Sequence, residues 1–411
     1  MGVWAQVREL MPAQRNAFLA SFLGWSLDAF DFFVLVFVIP DIAAEFGVKR
    51  SDVALSITLT LAFRPVGAFC FGWAADRYGR RVPLMINVLC YSLISLLCGF
   101  APTLTVFLVL RSLFGIAMGG EWGLGAALAM ESVPERMRGT LSGVLQEGYV
   151  VGYLLAAIVY PLVAPRWGWR AMFFVGVLPA LLSVFIRARV QESPVWEQQQ
   201  REREAGAAPL LPFSSVVRQH FRLFAYLILL MTAFNFMSHG TQDLYPTFLK
   251  EQHKLGPGMV SRIVILYNIG ALLGGICFGS LSESIGRRRA IILAALLALP
   301  IVPLWAFSPF VGLLALGAFL MQFMVQGAWG VIPAHLSELA PNTARSTFTG
   351  FTYQLGNLLA AINAYLQARL AERPGWNYAM ALSSVVVVVL LAVALITALG
   401  KEARGARFAD G

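Results

Sequence analysis

Charge is scarce in this sequence. Only 13% of its 411 residues are Asp, Glu, Lys or Arg, against roughly 25% in soluble domains. That shortage excludes an ordinary water-soluble enzyme or binding module. Cysteine is scarce as well. Cys70, Cys90, Cys98 and Cys277 all fall inside apolar runs, and no CxxC or His/Cys cluster occurs. A disulfide framework and a metal site are therefore not expected, and no cofactor is implied. The net charge of +9 has no basic domain to carry it. The positive residues sit in short loops between apolar runs, as topogenic charge does, so nucleic acid is not an expected partner.

Apolar sequence is what abounds, at 58% of the residues. Twelve apolar segments can be drawn, at roughly 17–40, 52–75, 82–101, 104–130, 141–164, 171–188, 222–249, 259–282, 290–307, 310–335, 346–368 and 377–399. Each is long enough, or nearly so, to cross about 30 Å of hydrocarbon at about 1.5 Å per residue. The first run, Phe18 to Pro40, is too long for a signal-peptide core and lacks a small-residue cleavage site, so we read it as a membrane helix. The expected fold class is an all-α membrane protein of twelve helices, with the lipid bilayer as its surroundings. One long polar stretch, Arg189 to Gln219, separates the sixth and seventh segments. It suggests a six-helix half at 1–188, a cytoplasmic linker at 189–221 and a second half at 222–411.

Lys and Arg set the orientation. With both termini in the cytoplasm, twenty of them face that side and nine the other, leaving Arg64 and Arg111 within the membrane. The excess favours cytoplasmic termini, in a multi-pass protein of the cell inner membrane.

The halves repeat. Gly72-x-x-x-Asp76-x-x-Gly79-Arg80-Arg81 aligns with Gly279-x-x-x-Glu283-x-x-Gly286-Arg287-Arg288, an offset of 207 residues. The same offset relates Trp122-Gly123 to Trp329-Gly330, Glu131 to Glu338, Arg138 to Arg345 and Gly168-Trp169 to Gly375-Trp376. One offset held across so much of the chain indicates a tandem duplication of six helices. An acid at a helix end and arginines in a tight glycine turn can lock neighbouring helices together, then release them. Asp76, Arg80, Glu283 and Arg287 are thus expected to serve as gate and scaffold, not as substrate ligands.

Polar groups inside the apolar segments are the candidates for function. The seventh segment carries Asn235, Ser238, His239, Thr241, Gln242 and Asp243. Ionisable groups cost about 2.5–3.5 kcal/mol each at mid-membrane and usually face a cavity or a partner. Asn235, His239 and Asp243 recur every four residues and share a helix face. The stripe could line a substrate and proton path, or could pack polar side to polar side within the bundle. Flanking charges place Asp28, Arg64, Asn235 and Asn357 at the middle of their helices, where transporters of parallel repeats hold substrate. Asp31 and Gln354 lie one turn from Asp28 and Asn357, and Gln322 and Gln326 near the middle of the tenth segment. Arg111, Glu121, Glu147 and Tyr149 lie a few residues from centre; Arg111, Glu121 and Glu147 could equally pair among themselves. The third, ninth and twelfth segments carry no Asp, Glu, Lys, Arg or His, and the sixth only Arg187 at its end, which suits a lipid-facing support role.

Arg64 is the lone midplane cation, and a guanidinium matches a carboxylate bidentately. In an empty carrier it would need a counter-ion, Asp28 or Asp31. Protonating that acid would free Arg64 for a substrate anion, so that proton and anion favour each other's binding. His239 and Asp243 form a second proton-handling pair, with Glu121 and Glu147 as further candidates. Asn235, His239, Tyr149, Gln354 and Asn357 would contact the substrate.

These residues also carry a resemblance. Asn235-x-x-Ser238-His239-x-Thr241-Gln242-Asp243-x-x-x-Thr247 resembles, position by position, the signature of Jen-type lactate/pyruvate:proton symporters of the major facilitator superfamily. The Gln354-x-x-Asn357 pair extends the likeness, while Tyr149-Val150 stands where such relatives often carry Phe-Ser. The turn after Gly72 independently resembles that superfamily's loop element between its second and third helices. The resemblance implies proton-coupled symport of small monocarboxylates by a functional monomer without cofactor, and no enzymatic activity. Leu27-Asp28-Ala29-Phe30-Asp31-Phe32 is also similar to sialic-acid and aromatic-acid:proton symporters, the nearest alternative. A non-transporting nutrient sensor is the alternative from a different class.

Overall fold

The computed structural model describes residues 7–205 and 212–408. No strand occurs among the described residues. The first half contains α1 (Pro12–Phe46), α2 (Arg50–Tyr78), α3 (Arg81–Gly99), α4 (Leu104–Ser132), α5 (Arg138–Gln146), α6 (Gly148–Val175) and α7 (Ala180–Arg189). Two helices follow in the connecting stretch, α8 (Pro194–Glu204) and α9 (Phe213–Gln219). The second half contains α10 (Phe221–Gln242), α11 (Tyr245–Glu251), α12 (Pro257–Ile285), α13 (Arg287–Ala298), α14 (Val302–Phe307), α15 (Val311–Leu339), α16 (Arg345–Ala360), α17 (Asn363–Ala371) and α18 (Tyr378–Leu399).

Ten helical runs among the described residues are long and apolar enough to cross a membrane. The sequence leads to twelve crossings, and two features account for the difference. The run Glu135–Arg189 is 55 residues long, on the order of 80 Å of helix, which is far more than one bilayer. Its backbone leaves helical geometry at Gly168, with φ 75° and ψ 175°, between the fifth and sixth expected crossings. The eleventh expected crossing is divided into α16 and α17 at Ala361–Ile362. Neither piece alone spans hydrocarbon.

Side-chain caps and glycine turns set the helix ends. Thr103 accepts from the Val106 N–H at the start of α4, and Asn377 accepts from the Met380 N–H at the start of α18. These bonds satisfy donors that a helix N-terminus otherwise leaves unpaired. The two repeated turns close at Gly79 (φ 95°) and Gly286 (φ 97°), a region that side chains with a Cβ disfavour.

Within the halves α2 packs on α4 and α1 on α6, while α12 packs on α15 and α10 on α16. Across the halves α2 meets α16, and α5 meets α12. The helices of the third and twelfth segments turn an apolar stripe outward. Val82, Ile86, Leu89, Leu93 and Leu97 of α3 are exposed, as are Val388, Leu391, Leu395 and Leu399 of α18. Spacings of three and four place each set on one helix face, and in a membrane protein such a face meets lipid.

Among the described residues, the hydrogen bonds and ion pairs between halves gather on the side of the chain termini. Asp76 accepts from the Ser346 N–H (3.0 Å), the Thr347 N–H (2.9 Å) and the Thr347 hydroxyl (2.6 Å). It thereby satisfies the positive end of α16. Glu283, its repeat partner, accepts from the Gly139 N–H at the start of α5. Arg80 joins Asp76 (2.8 Å) to Glu131 (2.9 Å), and Arg287 joins Glu283 (3.2 Å) to Glu338 (3.0 Å). Arg345 reaches from the second half to Glu131 of the first at 2.8 Å. Beneath these pairs α4 and α16 approach so closely that a Cβ on Gly123 would lie 2.8 Å from the Gly350 Cα. The terminus side is closed.

Asp76→Asn leaves Arg80 and the N-terminus of α16 with a neutral partner in a buried setting. We expect a loss of about 3 kcal/mol of stability, read as a lower melting temperature of the purified protein. Glu9→Gln, at the exposed Glu9–Arg136 pair, is the control and should leave the melting temperature unchanged.

Candidate substrate and proton site

The polar residues of the seventh segment separate onto two faces of α10. On one face, Gln242 donates to Gln322 Oε1 (2.9 Å), Gln322 donates to the Thr241 hydroxyl (3.0 Å), and Gln326 donates to the Ser238 hydroxyl (3.4 Å). This face zips α10 to α15. Polar packing within the bundle therefore accounts for Ser238, Thr241 and Gln242.

The other face carries the stripe at four-residue spacing. His239 Nδ1 lies 3.2 Å from Asp243 Oδ2, and His239 Nε2 lies 3.1 Å from Asn357 Oδ1 on α16. Asn235 is buried, and its amide donates to the Met231 carbonyl one turn back. The helix breaks after Gln242 because Pro246 has no N–H to donate to the Gln242 carbonyl four residues back, a bond that continuing the helix would need. The His239 and Asp243 side chains, at this break, are 33% and 39% exposed. They are partly exposed although they stand inside an apolar segment. One turn from Asn357, Gln354 is 1% exposed, and neither its amide nitrogen nor its oxygen has a hydrogen-bond partner.

The first half supplies a group of buried ionisable side chains. Arg64 is 3% exposed, and its Nε and Nη2 have no hydrogen-bond partner. Its charge acts on Asp28, on Tyr149 and, across the halves, on His239 and Tyr353. α4 approaches closely here: a Cβ on Gly119 would lie 2.7 Å from the Arg64 Cα, which fixes the depth of the guanidinium.

The expected counter-ion arrangement is not what the structure contains. No ion pair joins Arg64 to Asp28 or Asp31 among the described residues, and both carboxyl groups are fully buried without hydrogen-bond partners. Glu121 and Glu147 are likewise buried and unpartnered. Their pairing with Arg111 or with each other does not occur either. Arg111 instead faces the Phe114 ring, 4.1 Å from its centroid. The reason is geometric: depth along the membrane normal does not fix the azimuth at which a side chain leaves its helix. Glu147 lies in the break between α5 and α6 and presses on Gly275 of α12 in the other half. Asp76, Arg80, Glu283 and Arg287 stand apart, in the ion-pair cluster on the terminus side.

The aromatic lining is the part that sequence reasoning missed. Trp25 stacks on Tyr149 at 5.4 Å, and Phe33 meets the same ring edge-on at 5.1 Å. Trp122 lies 4.6 Å from Tyr353, and Trp329 lies 5.7 Å from it on α15. Trp122 also donates to Gln146 at 3.2 Å. Trp122 and Trp329 are repeat partners, and the 207-residue offset was the available signal. Tyr353 beside Gln354 carried none.

Known proteins share this chain's sequence and shape. The sequence profile described as Major Facilitator Superfamily matches residues 21–242 and 244–410. The chain is 30% identical to a carboxylic acid transporter protein homolog of Saccharomyces cerevisiae, over 90% of this chain and 63% of that protein. It thus spans less than two thirds of that relative's length. It is 31% identical to a probable 4-methylmuconolactone transporter of Cupriavidus pinatubonensis, over 85% of this chain and 82% of the relative. It is 29% identical to the sialic acid transporter NanX of Escherichia coli, over 98% and 97% of the two chains. Among solved structures, the proton:xylose symporter XylE superposes with a TM-score of 0.77 at 18% identity, covering 97% of this chain and 98% of that one. The human organic anion transporter MFSD10 superposes with a TM-score of 0.76 at 16% identity, covering 95% and 100%. Two repeated six-helix halves, closed on one side around a buried polar centre, carry the profile along nearly their whole length, and the chain belongs to the Major Facilitator Superfamily: it is a multi-pass membrane transporter and not an enzyme.

Proposed function

We propose that this transporter carries a small organic acid anion together with a proton across the cell inner membrane, by alternating access and with both termini in the cytoplasm. Monocarboxylates such as lactate and pyruvate are the expected cargo. The carrying observation is Arg64, a buried guanidinium with two nitrogens unpartnered, in electrostatic reach of Asp28 in its own half and His239 in the other. The names borne by the yeast, Cupriavidus and Escherichia coli relatives, all transporters of acids or of a lactone derived from one, support this reading.

The site suggests an order of events. A fully buried carboxyl without a hydrogen-bond donor costs much less neutral than ionised. Asp28 binds a proton from the open side, and Arg64 then faces an incoming carboxylate with no competing anion beside it. The guanidinium holds the carboxylate bidentately. Gln354, unpartnered in the empty site, and Asn357 hydrogen-bond the remaining oxygens, with Asn235 at the same depth. His239, tied to Asp243 and Asn357, registers the substrate and relays a proton. With proton and anion both aboard, the site bears no extra charge, and the halves can rock past each other. Asp76, Arg80, Glu283 and Arg287 then part on the terminus side. Asp31, Glu121 and Glu147 are further proton-holding groups on this path.

A second reading has its own observation. The Trp25–Tyr149 and Trp122–Tyr353 contacts give the site flat aromatic walls, which favour cyclic or unsaturated acids over a three-carbon chain. Counterflow in vesicles loaded with one acid, with lactate, pyruvate, acetate, a dicarboxylate, a muconate and sialic acid as competitors, separates the two. Lactate and pyruvate should compete best, and competition by the larger acids alone would replace the monocarboxylate reading with the aromatic-wall reading.

Arg64→Ala should weaken substrate binding on the order of 100-fold, since a charge-assisted bidentate contact is worth about 3 kcal/mol. Arg64→Lys should recover only part of it. Binding calorimetry of the purified protein checks this, and unchanged affinity in Arg64→Ala removes the residue from the site. Asp28→Asn should abolish accumulation driven by an inward proton gradient while leaving substrate exchange in counterflow. Accumulation that survives in this variant, or survives a protonophore in the unaltered protein, would refute the proposed coupling.

A further inference from the structure

Residues 400–408 leave α18 and cross the terminus-side face of the gate. Four contacts tie them down. Glu402 accepts from the N–H groups of Arg287 (3.2 Å) and Arg288 (3.0 Å) in the repeated glycine turn. Burial alone would raise the Glu402 carboxyl, but these backbone bonds and that of Arg404 outweigh it and hold the group below its ordinary range. Arg404 donates to the carbonyls of Glu283 (3.0 Å) and Ser284 (2.7 Å). The Ala406 carbonyl accepts from Arg138 Nη1 at 2.6 Å.

The fourth contact spans the halves. Phe408 is 4% exposed, its ring held 3.6 Å from the Arg138 guanidinium and 3.8 Å from the Arg345 guanidinium. Arg138 opens α5 in the first half and Arg345 opens α16 in the second. The two arginines are repeat partners, so the ring lies between equivalent points of the pseudo-symmetric gate. The symmetry is otherwise broken there. Arg345 pairs across the halves with Glu131. The equivalent pair would be Arg138 with Glu338, and no such ion pair exists among the described residues. The Ala406 carbonyl and the Phe408 ring take that guanidinium instead.

We infer that residues 400–408 form a latch on the terminus-side gate, with Phe408 as its bolt. The physical basis is the meeting of two like charges. Closing the gate brings Arg138 and Arg345 together, and their repulsion opposes closure. A buried aromatic face attracts both guanidiniums at once, so the ring turns a repulsive junction into an attractive one. When the terminus side opens, Arg138 and Arg345 move apart with their halves, and one ring can no longer serve both. The latch thus sets the balance between the two access states, and hence how readily the transporter rests with its terminus side shut. It rests on the alternating-access reading above but on no particular substrate.

Nitroxide labels at Arg136→Cys and Ser284→Cys, exposed positions of opposite halves on the terminus side, report the opening when the four native cysteines are replaced. Double electron–electron resonance is measured on the purified full chain in lipid nanodiscs without substrate. Phe408→Ala should lower the ratio of short to long distances on the order of tenfold. Phe408→Tyr, which keeps the ring face, should preserve the distribution of the unaltered protein. Phe408→Leu, which fills the space without a π face, should behave as Phe408→Ala does. A distribution unaltered in both Phe408→Ala and Phe408→Leu overturns the latch. Recovery in Phe408→Leu alone overturns the arginine clamp as its basis. Asp76→Asn separates the two layers of inference. If its distances lengthen and those of Phe408→Ala do not, the latch alone fails. If neither variant ever shows a long distance, the two-state reading fails with it.

Discussion

Charge taken out of water must be matched by an opposite charge, by hydrogen-bond donors or by a proton, and the interior of this protein answers that demand in two ways. At the terminus side every buried carboxylate has met arginines or helix N-termini: Asp76 with Arg80 and α16, Glu131 with Arg80 and Arg345, Glu338 with Arg287. Of these, the Asp76–α16 and Glu131–Arg345 contacts join different halves, so their energy belongs to one arrangement of the halves. In the middle of the first half the demand is left open. Asp28, Asp31, Glu121 and Glu147 form no ion pair among the described residues, their carboxyl oxygens lack a hydrogen bond of good geometry, and Arg64 has unpartnered nitrogens. A structural centre would have paired these groups, because an unmatched buried charge is among the costliest features a fold can carry. The proposed carrier of anions and protons would leave them unmatched, since each pair made internally is one its cargo cannot make.

The duplication explains how both solutions coexist in one chain. Six helices repeated at an offset of 207 residues produce a gate in which Asp76 caps α16 and Glu283 caps α5. The two contacts are the same contact made twice about a pseudo-two-fold. Function enters where the copies diverge. Asp28 corresponds to Asn235, and Arg64 to Ala271, so the first half holds the buried cation and its neighbouring acid, while the second offers amides together with the His239–Asp243 pair. Arg345 keeps its carboxylate across the interface while Arg138 faces a backbone carbonyl and an aromatic ring. A symmetric scaffold can rock between two equivalent closures. Asymmetric side chains make one closure differ from the other in energy and so set the resting balance between them.

Much of this was legible in residue types alone. Charge counts and segment lengths gave twelve crossings, and the two that the helical runs obscure are accounted for by a turn at Gly168, between the fifth and sixth expected segments, and a break at Ala361–Ile362, within the eleventh. Flanking charges led to one expected depth for Asp28, Arg64, Asn235 and Asn357, because helical rise is constant. Four-residue spacing paired His239 with Asp243 because the helix turn is constant as well. The contacts that need two helices at a particular rotation were not legible. Gln242 with Gln322, Glu147 against Gly275, and Trp122 with Tyr353 each depend on crossing angles and interhelical distances that no single segment encodes.

The sequence by itself determined the duplication, the crossings and the residues of the repeated glycine turns, since these follow from periodicity and from the cost of charge in hydrocarbon. Only the tertiary structure decided which of the polar groups are satisfied. It zipped Ser238, Thr241 and Gln242 into α15, left Arg64 and the buried carboxyls without partners, and set Phe408 between two arginines from opposite halves. Pairing is a property of direction as well as depth, and direction is fixed only when helices far apart in the chain pack against one another.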